Sequence, residues 1–355
     1  MNLVIFMKLV SRYLRTAFCW IGIAVLTACA QDRSLRQGPR HPLAGKVWDV
    51  SANKMVSRDW VAGRALNARF VLLGEIHDDA EHHQLQTLIF QAMVSGGRRP
   101  ALVMEQFDTD QQGAIDTILN DGRAVSSQLQ GLSVLMRKSW NWPVYEPIVR
   151  IALQNRLPVV AANLSREALR NVGREGYGAL GLGEEARLAL GLAWTSQRQA
   201  QMVYEIAEGH CGKLSAHLGE VISKSQRARD AVIADTLLKL QDSGAIAILG
   251  RNHARQDMGV PLYLATRAPD ISVMSIGFSA VAVQTDATSY SQGALGKMFD
   301  YVWFTSPVQR LINPCDSIPA PASSTSPGAT KSSLPAHQAP FGATQLPWFT
   351  VTKSV

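Results

Sequence analysis

In 355 residues there are only four cysteines, and charged side chains make up only 18% of the chain. A disulfide-built scaffold, in which cysteine exceeds about 8% of residues, is excluded. Lys and Arg form no run or stripe, so the electrostatic footprint of a nucleic-acid binder is missing. There is no internal repeat of fixed period, which sets aside solenoids and propellers. The zinc-protease pattern His-Glu-x-x-His is absent as well.

An apolar stretch does occur near the start, but it runs only from Ala17 to Ala28, well short of the ~20 residues that cross ~30 Å of hydrocarbon. It follows Lys8, Arg12 and Arg15 with no acid among them, and it stops at Leu26-Thr27-Ala28-Cys29. A basic n-region, a short h-region and small residues before a cysteine predict a lipoprotein signal peptide over 1–28, with acyl chains such as palmitate on Cys29. An ordinary secreted protein is the competing reading. The residue after the cysteine is Ala30, not Asp, which by the sorting habit of enteric lipoproteins resembles an outer-membrane address on the periplasmic side. Loss of residues 1–28 takes the formal charge from +7 to +4. Cys211 and Cys315 then remain in an oxidising compartment, where they either pair or stay as thiols.

Residues 29–44 are polar and read as a tether. Residues 314–355 open on a stretch crowded with Pro, Ser and Ala that cannot bury enough surface to offset its ordering entropy, and they are expected to be disordered. The span 45–313 between them suffices for one large domain. In it, short apolar runs (Phe70–Gly74, Ala101–Met104, Leu157–Ala161, Ala245–Leu249, Ile271–Ile276) alternate with helical patterns over Asp79–Ser95, Asp110–Leu119 and Pro143–Gln154. This predicts the α/β class: a mostly parallel sheet with helices on both faces. From about 165 to 240 no strand is evident, and long helices over Glu184–Gly209 and Ala216–Leu240 predict a smaller all-helical insertion.

Ligands of open parallel sheets bind outside the carboxyl ends of the strands. The strand ends here deliver Glu75, His77, Glu105, Asn163 and His253 to one crevice, with Gly74 and Gly250 allowing close backbone approach. On the helix that follows, His82 is expected to face solvent and His83 the site, since neighbouring helical positions differ by ~100°. His210 is placed at a helix end. Trp140 to Pro147 form an aromatic cluster that suits either core packing or a flat ligand, and the phenol of Tyr145 is a candidate axial ligand of haem iron.

Taken together, Gly74-Glu75-Ile76-His77-Asp78 with His82-His83-Gln84, Glu105, Trp142 and Tyr145, Leu157 to Leu164, His210-Cys211-Gly212, Gln226-Arg227-Ala228-Arg229-Asp230 and the long block Gly250 to Leu264 resemble the ChaN-like haem-binding lipoproteins. The likeness runs from about 45 to 280, and its last block is the most specific. A wider superfamily with Tiki-type proteases and erythromycin esterases shares mainly Gly-Glu-x-His and a late histidine. Asn252, Ala254 and the C-terminal tail depart from the pattern.

The resemblance implies haem at the carboxyl edge of the sheet and a role in iron or haem uptake, and it leaves open an outer-membrane haem receptor and a homodimer as partners. In this reading Tyr145 phenolate holds ferric haem, and His253 is the second ligand or hydrogen-bonds the phenolate. Arg251 and Arg255 receive the propionates or form a solvated pair. The alternative is a hydrolase in which Glu75 and His77 activate water, directly or through a divalent metal such as Zn²⁺ or Fe²⁺, assisted by His253.

Overall fold

The computed structural model describes residues 41–181, 183–281, 298–307 and 314–317. The chain divides after Pro42, and the fold described below belongs to the unit that begins at Leu43. Leu43 is itself buried, so folded structure starts just before the expected residue 45. The expected signal peptide, Cys29, nearly all of the tether and the tail beyond residue 317 lie outside the described residues. Among those described, no helix is long and apolar enough to cross a membrane.

Eight strands form one sheet: β1 (Val47–Asp49), β2 (Lys54–Val56), β3 (Phe70–Glu75), β4 (Ala101–Asp108), β5 (Val159–Asn163), β6 (Ala245–Gly250), β7 (Val273–Ala280) and β8 (Tyr301–Thr305). Their order is β2-β1-β8-β7-β3-β6-β4-β5. From β8 to β5 the pairs are parallel, and only β1 runs antiparallel, to β8 and to β2. The fold is therefore the expected mixed α/β class with a mostly parallel sheet.

Among the described residues ten α-helices accompany the strands: α1 (Arg58–Asn67), α2 (Ala80–Ser95), α3 (Gln112–Asn120), α4 (Val125–Leu135), α5 (Trp142–Gln154), α6 (Arg166–Glu175), α7 (Glu184–Arg187), α8 (Ser196–Gly209), α9 (Ala216–Leu238) and α10 (Val260–Arg267). Strand alternation sorts them into two layers. Val71 and Leu73 of β3 pack with residues of α1 to α5, whereas Phe70 and Leu72 pack with residues of α9 and α10. Burial on both faces is why the strands read as continuous apolar runs. The connection leaving β3 passes over the first face and the one leaving β6 over the second, so the carboxyl ends of this adjacent pair form a topological switch point.

The structure corrects several expectations. The single helix predicted over Glu184–Gly209 is broken: Ala189 takes a positive φ of 58°, and Thr195 caps a new helix by accepting from the Arg198 N–H. Leu188 and Leu190 in that break are buried in the second core. Strand β8 was not predicted, although Tyr301-Val302-Trp303-Phe304-Thr305 is fully buried. Strands β1 and β2, three residues each, are too short to show a period. Between β5 and β6 lie α6 to α9, but α9 also buries Ala231, Ile233, Ala234 and Leu237 against the sheet. Cys211, just past α8, is joined to Cys315 in a disulfide. Cys315 sits in a short turn, Pro314–Ser317, at the start of the segment expected to be disordered.

Candidate functional site

Each strand of the switch point ends in chemistry, and the parity of each residue decides which face it serves. Glu75 follows Val71 and Leu73 in alternation and so meets α2 and α5. Its Oε1 accepts from His77 Nδ1 at 2.8 Å, from the Tyr145 hydroxyl at 2.6 Å and from Gln106 Nε2 at 3.3 Å. Its Oε2 accepts from Gln86 Nε2 at 2.7 Å and from His83 Nδ1 at 3.1 Å. Burial alone would raise this carboxyl, but the charge of His83 and the hydrogen bonds of His77 and His83 hold it well below the usual carboxylate range.

His83 shows its protonation state by its partners. Nδ1 faces Gln86 Oε1 and the Glu75 carboxylate, and Nε2 faces the carbonyl of His77 at 3.1 Å. Both ring nitrogens meet acceptors, so the ring is an imidazolium. Burial opposes that charge, yet Glu75 outweighs it and holds the group up at about 8. Tyr145 is fully buried, and burial together with the neighbouring Glu75 carboxylate pushes its phenol well above the ordinary value.

Glu105 has the opposite parity and serves the second face. Its Oε2 accepts from the Gly250 N–H at 2.6 Å, and its Oε1 lies 3.5 Å from His253 Nε2. His253 Nδ1 donates to Asp230 Oδ1 of α9 at 2.6 Å. With a carboxylate at each nitrogen, His253 is held protonated; burial resists, but Glu105 and Asp230 raise it. Asp230 is pushed up to about 6 by burial, against the pull of His253. The register of β4 on β5 shifts between Met104 and Asp108, a bulge beside the site.

His77 stands at the rim where the two faces meet. Its side chain is 20% exposed, and its Nε2 has no hydrogen-bond partner among the described residues. Trp140 stands edge-on to its ring at 4.5 Å between centroids. A Cβ at Gly250 would lie 3.0 Å from His77 Cε1, 3.1 Å from its Nε2 and 3.4 Å from Glu105 Oε2, so glycine there keeps the rim open.

Other expectations fare differently. His82 does not face solvent: it is fully buried, its Nδ1 accepts from the Ile76 N–H at 3.0 Å and its Nε2 lies 2.9 Å from Thr305 Oγ1. Because β8 was not anticipated, nothing in the sequence pattern showed that partner. Burial, then the charge of Arg251, push His82 down to about 3, so it is a neutral structural residue. His210 caps the end of α8, as expected, against the Ile206 carbonyl at 2.7 Å. Asn163 is buried at the edge, and among the described residues its Oδ1 has no hydrogen-bond partner. Arg255 is no solvated residue: it is buried and pairs with Glu205 and Asp257. Burial and then the charge of Arg255 pull the Arg251 guanidinium down to about 10. Tyr145 and His253 belong to opposite faces, so the expected contact between them does not form. Sequence reasoning missed Gln86, Gln106 and the partnership of Asp230 with His253; the one available signal was Gln86 standing one helical turn after His83.

Among the described residues no three His, Cys, Asp or Glu are arranged to hold a metal ion. A cavity of about 300 Å³ lined by Arg69, Asp242 and Asp270, among others, opens at the other end of the sheet and holds no imidazole.

Comparison with known proteins places these observations. A family model described as haem-binding uptake, Tiki superfamily, ChaN, matches residues 61–264. Among solved structures, that of cofacial heme binding to ChaN of Campylobacter jejuni is 20% identical, with a TM-score of 0.59, and covers 72% of this chain and 95% of that one. An erythromycin esterase variant in its open conformation is 11% identical, with a TM-score of 0.43, and covers 75% of this chain and 98% of that one. No curated protein matches the chain.

Proposed function

This chain belongs to the ChaN haem-binding family of the Tiki superfamily, and from that premise we propose that it is a lipid-anchored periplasmic protein that binds ferric haem for haem or iron uptake. The observation that carries the reading is the state of His77. Its Nδ1 is held by Glu75, and its Nε2, on a side chain that is 20% exposed, meets no hydrogen-bond partner among the described residues beside the Trp140 ring. Carboxylate-backed imidazole is the usual form of a metal-binding histidine, because the second hydrogen bond fixes the tautomer and raises ligand basicity. The residues therefore fit haem, which when bound supplies an iron centre that takes an axial donor.

In this reading His77, rather than Tyr145 or His253, would hold the iron of the haem. The Tyr145 oxygen is buried and donates its proton to Glu75. His253 has a carboxylate at each nitrogen and no lone pair to give. Tyr145 acts instead through Glu75, whose position it helps to fix behind His77. Titration of haemin into the purified protein, followed in the visible spectrum, tests the assignment. His77→Ala is expected to weaken binding at least tenfold, about 1.4 kcal/mol, and to change the spectrum. Tyr145→Phe is expected to keep the wild-type spectrum, and the reverse pattern would return the iron to the phenolate.

The disulfide supports an oxidising compartment, and the basic, apolar and Cys29 elements of the N-terminal segment support the anchor. Cys29→Ser is expected to remove fatty-acid label; equal label on both proteins would sink the lipoprotein assignment.

A hydrolytic reading has one observation in its favour, the two carboxylate-backed imidazoles, His77 and His253. Glu75 cannot be its base, since five side chains already donate to it. His77 Nε2 would take that part. Ester turnover that is lost in His77→Ala, by a protein that takes up no haemin, would favour this reading.

A further inference from the structure

Helices α9 and α10 are held by apolar burial against the sheet, but α8 is not. Among its described residues Met202 is the one buried apolar side chain, and no residue of α8 enters the two cores on the faces of the sheet. Polar ties take their place. Arg198, in the first turn, donates from Nε to the Asp257 carbonyl at 2.9 Å, and Glu205, two turns on, is paired with the buried Arg255. Both partners belong to the segment 251–259, which carries His253. On its other side that segment is fastened to the last strand, since the Gln256 N–H donates to the Met298 carbonyl at 2.8 Å, just ahead of β8. Cys315 follows β8 in the chain and is bonded to Cys211, just past the far end of α8. The ties therefore close a ring: β8, the disulfide, α8, the His253 segment, and β8 again. A helix with so little apolar burial belongs to the part of a fold that opens most easily, and here the ring's one covalent cross-link is the disulfide.

We propose that the Cys211–Cys315 bond is a redox switch, and that its reduction by a dithiol lets α8 and the His253 segment open as one unit while the sheet stays folded. Both cysteines are half-buried and Gly212 beside them is exposed, so a thiolate can reach the bond. One thiolate of the dithiol attacks a cystine sulfur and forms a mixed disulfide, and the other cysteine leaves as a thiolate and takes up a proton. The second thiol of the dithiol then displaces the remaining cysteine. Two electrons and two protons pass from the dithiol to the cystine, which ends as two thiols, and the dithiol ends as a disulfide. With the ring open, α8 is left with its polar ties, and any opening of α8 takes the partners of Arg255 and Asp257 with it. The switch is reversible by design: Lys213 Nζ donates to the Cys315 carbonyl at 2.7 Å, a contact that keeps the two thiols close for reoxidation. It acts on the segment that carries His253 whichever ligand or reaction the site serves.

The test is amide hydrogen exchange of the full chain, read peptide by peptide by mass spectrometry, before and after treatment with dithiothreitol. Maleimide labelling of the folded protein counts the thiols released. Exchange over 196–209 and over 251–259 is expected to rise on reduction by at least about tenfold relative to exchange in β3 and β6. Cys211→Ser with Cys315→Ser should show the same ratio without reductant. Three results would overturn the inference. If dithiothreitol releases no thiol from the folded protein, the bond is a permanent staple. If every peptide speeds up by the same factor, or none does, the bond acts on the whole domain or on nothing near the site. If 196–209 speeds up and 251–259 does not, α8 opens without the His253 segment. None of these results bears on whether the protein binds haem, which the haemin titration decides by itself.

Discussion

Replacing Glu75 by Gln changes one atom and disturbs five hydrogen bonds. The carboxylate accepts from three side chains on Oε1 and two on Oε2. An amide has one accepting oxygen, so whichever way it is turned its NH₂ confronts at least two buried donors. A buried donor without an acceptor costs about 1–3 kcal/mol. His83 keeps Gln86 Oε1 and the His77 carbonyl, which softens the loss. The expected destabilisation is about 3–5 kcal/mol, the range for breaking a buried ion pair from one side. A second signature separates this from general damage. His83 is held at about 8 in the folded protein, above its unfolded value of about 6.5. Its contribution is therefore fully present below pH 6.5 and is lost as the pH rises through 8, a change of about 2 kcal/mol. Urea unfolding at pH 6 and pH 9 should show that loss in the wild-type protein and much less of it in Glu75→Gln. A variant within about 1 kcal/mol of wild type, with the same pH difference, would refute the role of Glu75 as the centre of the network.

Other expectations follow from single contacts. Gly250→Ala would press a methyl against His77 and Glu105; we expect haemin affinity to fall at least fivefold, with a loss of stability of about 1–3 kcal/mol, both read by titration and urea unfolding. Arg255→Met leaves the buried Glu205 carboxylate without its ion-pair partner and held by Gln201 Nε2, which should lower stability by about 3–5 kcal/mol, read by urea unfolding. The Cys211–Cys315 bond spans 104 residues, so Cys211→Ser with Cys315→Ser should unfold at lower urea by about 2–5 kcal/mol, and reductant should bring the wild-type protein to the same midpoint.

The strands that face helices on both sides were legible because two-sided burial leaves a continuous apolar run, and their ends gave Glu75, His77, Glu105 and His253. Which of these cooperate was not legible. Alternation places Glu75 and Glu105 on opposite faces, but only the strand order, with β6 inserted between β3 and β4, brings them to the two sides of one glycine. The protonation states were hidden for the same reason. That His83 and His253 meet acceptors at both nitrogens depends on partners as far apart in sequence as Glu105 and His253, 148 residues, and on strands that are neighbours only in space. The misplacement of His82 has a plain cause: its partner Thr305 is 223 residues away, on a strand that no periodicity argument had included.

The strand order also bears on when this protein can fold. Strand β3 pairs on one side with β6 and on the other with β7, so Phe70 meets Ala245 and Val273. Roughly half the chain must therefore be made after β3 before either of its neighbours exists, and closing such distant contacts is slow. A nascent chain of this design has no way to complete its centre early. On the proposed lipid-anchored periplasmic reading the chain would thread through a membrane as an extended polypeptide, and that delay would be useful there, since little of its sheet can assemble before the carboxyl-terminal third has emerged.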